Sequence, residues 1–503
     1  MSRMPTFPPV LHGLHLRRSV CLAAASLMLS ACAVGPDYHR PPTLVPAQFE
    51  QVEGWKAAAP ADALHRGEWW TLYNDPVLDE LVGRLNVSNQ NLASAEAQYR
   101  QARALVRSAR ASFFPSVTTD AGVTRSGRGG GSSSVITGQT GQGGNTVSTV
   151  RGGGISEDYQ ATLGASWELD LWGKLRRTLS ANSASAQASL ADLAAARLSL
   201  QSELVQNYLQ LRIMDEQKRL LEATVSAYER ALRLTQNQYN AGIVPRSDVS
   251  QAQTQLKSAQ AQVIDLQWQR AQLENAIAVL IGVPPASFEL AELTSIPRVP
   301  DVPAGVPSQL LERRPDIASA ERNVAAANER IGVATAAYYP DLTISARGGY
   351  TNSGLSDLFS LPNRFWSLGP SLAVTLFDAG ARRAEVERSE AAYDQTVATY
   401  RQAVLTGFRE VEDYLVQLSV LEREAQVQQE ALDAARESLR LIENQYRAGT
   451  IDFNSVVNVQ ATALNNERTN LTLLGSRLTA SVQLIAALGG GWDATTLDEE
   501  GGR

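Results

Sequence analysis

Apolar residues follow two different periods along this chain. From Gly173 to Asn240, and again from Gly380 to Arg447, they recur every seven positions with no proline between. In the first stretch Leu190, Leu204, Leu211, Val225 and Leu232 form one track, and Leu193, Leu200, Met214, Leu221 and Tyr228 form another three residues behind. Arg197, Asn207 and Lys218 interrupt them. In the second stretch Val397, Val404, Val411, Leu418, Ala425, Leu432 and Leu439 repeat the first track. A sustained heptad predicts coiled-coil packing, and a run of this length makes a helix of about 100 Å.

Elsewhere the period drops to two. Tyr159, Ala161, Leu163, Ala165, Trp167 and Leu169 alternate with polar residues, as do Trp366, Leu368, Leu372, Val374 and Leu376, which predicts strands. The strands they return from run over Val117 to Thr124 and Leu342 to Tyr350. Helices over Val77 to Phe114 and Ser308 to Tyr339 precede these and stop at Pro115 and Pro340, because proline has no amide to donate. After the long helices, breaks at Ala241-Gly242-Ile243 and Ala448-Gly449-Thr450 lead into return helices over Arg246 to Ile281 and Phe453 to Leu488.

This doubled order is an internal duplication. Leu92 to Pro115 matches Ile317 to Pro340 at a shift of 225, each copy ending aromatic-aromatic-proline. Gly173/Gly380, Asn237-Gln238-Tyr239/Asn444-Gln445-Tyr446 and Ala241-Gly242/Ala448-Gly449 match at a shift of 207. The difference of 18 residues is an insertion in the first copy, where Ser126 to Gly154 holds eleven glycines and is expected to be a loop. The expected fold class is α+β. Four strands are too few to close a barrel with a lumen, and one hairpin of such helices cannot bury its stripe, so several copies must share one barrel.

Net charge changes little. With 45 Lys+Arg against 52 Asp+Glu the chain is mildly acidic, which argues against a nucleic-acid partner. Four His and two Cys without ligand spacing supply no metal site, cofactor or catalytic residue. The leader is more telling: Arg17-Arg18, an apolar stretch from Ser19 to Ala31, and Leu29-Ser30-Ala31-Cys32 read as a lipoprotein export signal. Cys32 is then the acylated (palmitate-bearing) mature N-terminus, and Ala33 behind it points to the outer membrane. The chain thus divides into a signal peptide (1–31), a lipid-anchored extended, equatorial segment (32–76) and a first repeat (77–282, strand pair in 115–172). A Pro-rich connector (283–307), a second repeat (308–489, strand pair in 340–379) and a C-terminal tail (490–503) follow. Arg313-Arg314 is expected to brace the connector, and Glu422, Glu424 and Glu430 to form a solvated face.

A family resemblance rests on specific residues. Cys32 with Gly35-Pro36-Asp37-Tyr38, Trp69-Trp70 with Asp75-Pro76 and Leu78, Arg313-Arg314-Pro315-Asp316-Ile317 with Ala320-Glu321, Tyr339-Pro340, and Tyr446 with Ala448-Gly449 occur in order. The set resembles the TolC-like outer membrane efflux ducts, in their lipoprotein branch serving resistance-nodulation-division pumps. The resemblance implies a homotrimer whose twelve strands form a transmembrane β-barrel continuous with an α-helical barrel. It implies passive outward conduction of drugs or other small solutes, energised by an inner-membrane resistance-nodulation-division transporter through a periplasmic adaptor. Ala241, Gly242, Ile243, Ala448, Gly449 and Thr450 would dock the adaptor. Its periplasmic gate maps onto Asp248 and Tyr446 as a latch, with Ile451 where an arginine is usual, and onto Ser455 and Asn458 where the family often has acidic residues. Asp452 could replace part of that charge. A porin-like uptake channel would account for the strands without the long helices, and a structural coiled-coil lipoprotein for the helices without the strands.

Overall fold

The protein is described by a computed structural model over residues 33–43, 45–46, 68–128, 134–140, 144–150, 154–292, 295–300, 313–492, 494 and 497. Cys32 and the signal segment lie outside the described residues, as does the start of the helix expected at Ser308. Seven α-helices are described: α1 Pro76–Ser88, α2 Gln90–Ala111, α3 Lys174–Asn240, α4 Arg246–Leu280, α5 Pro315–Ala336, α6 Ala381–Arg447 and α7 Phe453–Ala487. The strands are β1 Ser116–Arg128, β2 Ser134–Thr140, β3 Gly144–Val150, β4 Gly154–Leu169, β5 Asp341–Asn352 and β6 Arg364–Ala373.

Both α3 and α6 are unbroken helices of 67 residues. The heptad tracks account for their burial: Leu204, Leu211, Leu221 and Tyr228 are buried on α3, and Val404, Val411, Leu418 and Leu432 on α6. The exposure of Glu422, Glu424 and Glu430 agrees with a solvated face.

Three expectations are corrected. The single helix over Val77 to Phe114 is two helices, α1 and α2, hinged at Asn89. No proline or glycine causes the break. Asn89 is extended, its Oδ1 accepts the Leu92 amide as a cap for α2, and its Nδ2 donates to the Leu280 carbonyl at 2.7 Å. A tertiary bond therefore sets the bend. Second, the glycine-rich insertion is more than a loop, since β2 and β3 pair antiparallel inside it as a separate two-stranded sheet beside the expected four-stranded one. The β-branched runs Val135-Ile136-Thr137 and Thr146-Val147 explain that pairing. Third, β6 stops at Ala373, so Val374 and Leu376 lie beyond the sheet.

Residues cluster into two units. Among the described residues, one holds those from Ala33 to His39 with those of 104–183 and 325–393, and contains the sheets. The other holds the described residues within 40–103, 184–324 and 394–497, and its core includes Leu78, Val82, Leu85, Leu209, Ile213, Ile277, Leu415 and Leu484. There Asp75 caps α1 by accepting the Val77 and Leu78 amides, and Tyr208 donates to its other oxygen at 2.7 Å. Arg314 braces no part of the connector among the described residues. It sits buried before α5 and donates to Glu410 of α6 at 2.8 Å, to the Ala487 carbonyl ending α7 and to Asp316. Those carboxylates raise its pKa although burial alone would lower it.

Candidate functional site

Strand register decides what each face of the larger sheet can do. The order is β1-β4-β5-β6, all antiparallel. Val117 pairs with Ala165, Ala165 with Ala346 and Ala346 with Leu368; Leu163 pairs with Gly348 and Gly348 with Trp366; Leu342 pairs with Leu372. Because side chains alternate along a strand, these residues share one face with Val123, Ala161 and Ile344. That face is uncovered: Trp366 is 78 % exposed, Leu368 67 % and Leu372 66 %. On the other face lie Thr118, Asp120, Thr162, Gly164, Ser345, Arg347 and Ser367, by the same register. Thr162 accepts from Arg347 there at 3.4 Å.

An apolar face left bare and a polar face opposite it invert the usual soluble sheet, and fit a wall with lipid on one side and water on the other. Among the described residues, the outer strands β1 and β6 each have one edge with no strand partner. Among the described residues no helix is long and apolar enough to cross a membrane, and no metal-binding group is found.

The second candidate site is the helix turns. Gly242 and Gly449 share a φ of +74°, a left-handed value that glycine adopts without strain. Each turn is closed alike: Gly242 donates to the Tyr239 carbonyl and Ile243 to Gln238, while Gly449 donates to Tyr446 and Thr450 to Gln445. Ala241, Ile243, Ala448 and Thr450 are exposed, and a Cβ on either glycine would meet nothing within 4 Å. The turns thus present small, unobstructed surfaces.

Behind the turns, the residues matched to the gate are brought together differently from the expected latch. Tyr446 donates to the Gln238 side-chain carbonyl at 2.9 Å, not to Asp248. Its ring lies 5.8 Å from that of Phe453 and packs on a cluster of Ala252, Phe453 and Val457. Burial pushes the phenol above its ordinary value, with the Asp248 carboxylate adding to the rise. Asp248 itself accepts from Ser247 in the first turn of α4. Asp452 is the N-cap of α7: its Oδ1 accepts the Ser455 amide at 2.9 Å and the Ser455 hydroxyl at 2.6 Å, which holds its carboxyl below the usual value. Asn458, one turn inside α7, is exposed. Gln238 is the residue that sequence reasoning missed. Its signal was the duplication, which makes it the counterpart of Gln445 beside Tyr446.

Known proteins share this arrangement. The family model for outer membrane efflux proteins matches residues 81–283 and 306–490. The pyoverdine export outer membrane protein OpmQ of Pseudomonas aeruginosa is 32% identical over 479 residues, covering 95% of this chain and 98% of that protein. The solved outer-membrane channel OprN superposes with a TM-score of 0.80 at 30% identity, over 92% of this chain and 100% of that one. The open state of the Neisseria gonorrhoeae MtrE outer membrane channel gives 0.78 at 26% identity, over 92% and 99%. By the extent of these matches the chain belongs to the outer membrane efflux protein family.

Proposed function

We propose that the chain is the exit duct of a tripartite efflux pump, lipid-anchored at Cys32 in the outer membrane. Three copies form one channel that passively conducts drugs or other small solutes received from an inner-membrane resistance-nodulation-division transporter through a periplasmic adaptor. The observation that carries the reading is the register of the four-stranded sheet: one bare apolar face, one polar face and two unpartnered edges. In lipid an edge leaves amides and carbonyls unsatisfied, so β1 of one copy pairs with β6 of the next and twelve strands close the wall. The apolar face meets lipid and the polar face lines the lumen. The long helices, repeated over 77–282 and 308–489, extend the conduit towards the adaptor, which docks on the turns at Ala241-Gly242-Ile243 and Ala448-Gly449-Thr450. Tyr446, Gln238, Asp248, Asp452, Ser455 and Asn458 belong to the periplasmic gate. No catalytic step is involved.

Two measurements test this. Purified protein in a planar bilayer gives discrete conductance steps if it is a duct and none if it is a coiled-coil scaffold. A deletion strain accumulates drug if the duct exports, whereas loss of an uptake channel would lower accumulation. Trimers that conduct nothing, or a deletion that protects the cell, overturn the reading.

A further inference from the structure

The segment Ala33–Asp37 is fastened to the sheet-bearing unit by an unusual concentration of contacts. The Val34 amide donates to the Trp172 carbonyl at 3.1 Å, just past the end of β4. Asn328 of α5 donates to the Pro36 carbonyl at 3.1 Å. Arg177, in the first turn of α3, has a buried side chain that reaches three partners. Its Nη1 donates to both oxygens of Glu329 at 3.2 and 3.1 Å, and its Nη2 to the Gly35 carbonyl and to Asp37, each at 3.2 Å.

Glycines make the crossing possible. Gly35 has a φ of +105°, and a Cβ on it would overlap the Gly332 Cα of α5. A Cβ on Gly332 would in turn touch the Arg177 side chain and the Val34 carbonyl, and one on Gly173 would press on Ala33. Three backbones, from the N-terminal segment, α5 and the β4–α3 junction, therefore pass at contact distance around one guanidinium. At the same junction Trp172 stacks on Tyr339 with ring centroids 4.9 Å apart, and its indole donates to the Pro340 carbonyl at 2.8 Å. Tryptophan and tyrosine at the end of a transmembrane strand mark the level of the membrane interface.

We propose that Ala33–Asp37 is an anchor clip, closed by Arg177, that holds the acylated N-terminus at the sheet-to-helix junction. The proposal rests on the reading of Cys32 as the lipid-bearing residue, which is bonded to Ala33. A long free tether would let acyl chains insert anywhere within its reach. The clip instead confines them beside the chain's own β4 and β5, at the depth already set by Trp172 and Tyr339, so the anchor fixes the vertical register of the barrel in the outer membrane. Arg177 acts through the strap and touches neither lipid nor transported solute. It is a positioning residue.

The test uses full-length protein labelled in cells with a photoactivatable palmitate analogue, together with amide exchange at residues 34–37. In the unmodified protein the crosslinks map to the segments flanking the junction, around 164–172 and 338–344, and the Val34 amide is protected. Arg177→Met removes four hydrogen bonds, and Gly35→Ala strains the strap without touching α3. Each is expected to speed exchange at Val34 by roughly ten- to a hundredfold, the loss of about one charge-assisted hydrogen bond, and to scatter the crosslinks. Unchanged exchange and an unchanged crosslink map in both variants would overturn the clip. Absence of label from the unmodified protein with the Val34 amide still protected would instead refute lipidation at Cys32, and would leave the strap as a purely structural contact.

Discussion

Tyr446 and Gln238 stand 208 residues apart in the chain, and the phenol hydroxyl donates to the Gln238 side-chain carbonyl at 2.9 Å. The bond joins the end of α6 to the end of α3, and so ties one repeat to the other just behind the helix turns. It also breaks the symmetry of the duplication, because Tyr239, the counterpart of Tyr446, is exposed.

If this bond holds the tip shut, Tyr446→Phe and Gln238→Leu should each raise the open fraction of the reconstituted channel by roughly two- to tenfold, the worth of one neutral hydrogen bond. The double variant should add little to either single one, since both remove the same contact. Asp248→Asn should change conductance less than either. Additive effects of Tyr446 and Gln238 in single-channel recordings would remove the bond from the gate.

The phenol's raised pKa gives the proposed gate a pH signature. A group whose folded pKa lies above its unfolded value stabilises the folded arrangement in full below the unfolded value, and that contribution fades as pH rises through the folded one. For Tyr446 the ordinary value is 10.0, so the tip should stay closed through neutral and mildly alkaline conditions and loosen only above that. Ionisation removes the proton donated to Gln238. The difference in phenolate absorbance between the native protein and Tyr446→Phe should titrate above 10.0; a midpoint at or below it contradicts the burial argument.

How much of this was legible in the sequence depended on whether the cause was local. The heptads of α3 and α6 and the alternation of β4 are local patterns, and Leu204, Leu211, Val404 and Val411 are buried where the seven-residue period puts them. The hinge at Asn89 was invisible because its cause is a carbonyl 191 residues away. The β2–β3 pairing was hidden by glycine-rich surroundings that dominate the composition of the insertion. At the tip, a motif-based match named Asp248 as the partner of Tyr446. The face of α3 turned towards Tyr446 carries Gln238 instead, and which side chain reaches the hydroxyl depends on how α3 packs against α6, a tertiary relation that no local motif encodes. The Arg177 clip joins residues 140 and 152 positions apart: Gly35 and Asp37 stood out in the sequence as part of a motif, but nothing local marked Arg177 and Glu329 as what closes on them.

Docking at the turns can be tested without disturbing them. Gly242 and Gly449 need their positive φ, so replacing either would confuse backbone strain with lost docking. Ala241 and Ala448 are exposed neighbours with ordinary backbone angles. Ala241→Trp and Ala448→Trp together should leave the proposed trimer intact on native gels, abolish co-purification of the adaptor and return the strain to drug sensitivity. Retained co-purification and full resistance in the double variant would move the docking surface elsewhere.

The charge of the proposed gate follows from the capping geometry of α7. Asp452 is ionised, but its Oδ1 faces the start of its own helix, taken up by the Ser455 amide and hydroxyl. The positive end of the helix offsets part of its field. In the proposed trimer, three such caps would form a weaker ring than three carboxylates projecting freely, so the unmodified channel should show only mild cation preference and weak block by trivalent cations. Asn458 is exposed one turn further along, and its backbone carbonyl accepts from the Thr462 hydroxyl at 2.9 Å. A carboxylate placed there has no capping duty. Asn458→Asp should therefore shift the reversal potential towards cations and strengthen trivalent block by at least roughly tenfold, because three negative charges act together on one ion. Asp452→Asn should move both quantities little while fraying the start of α7, which amide exchange at residues 453–456 reads independently. Strong block in the unmodified protein that disappears in Asp452→Asn would mean that the cap points its charge into the lumen despite its bonds to Ser455.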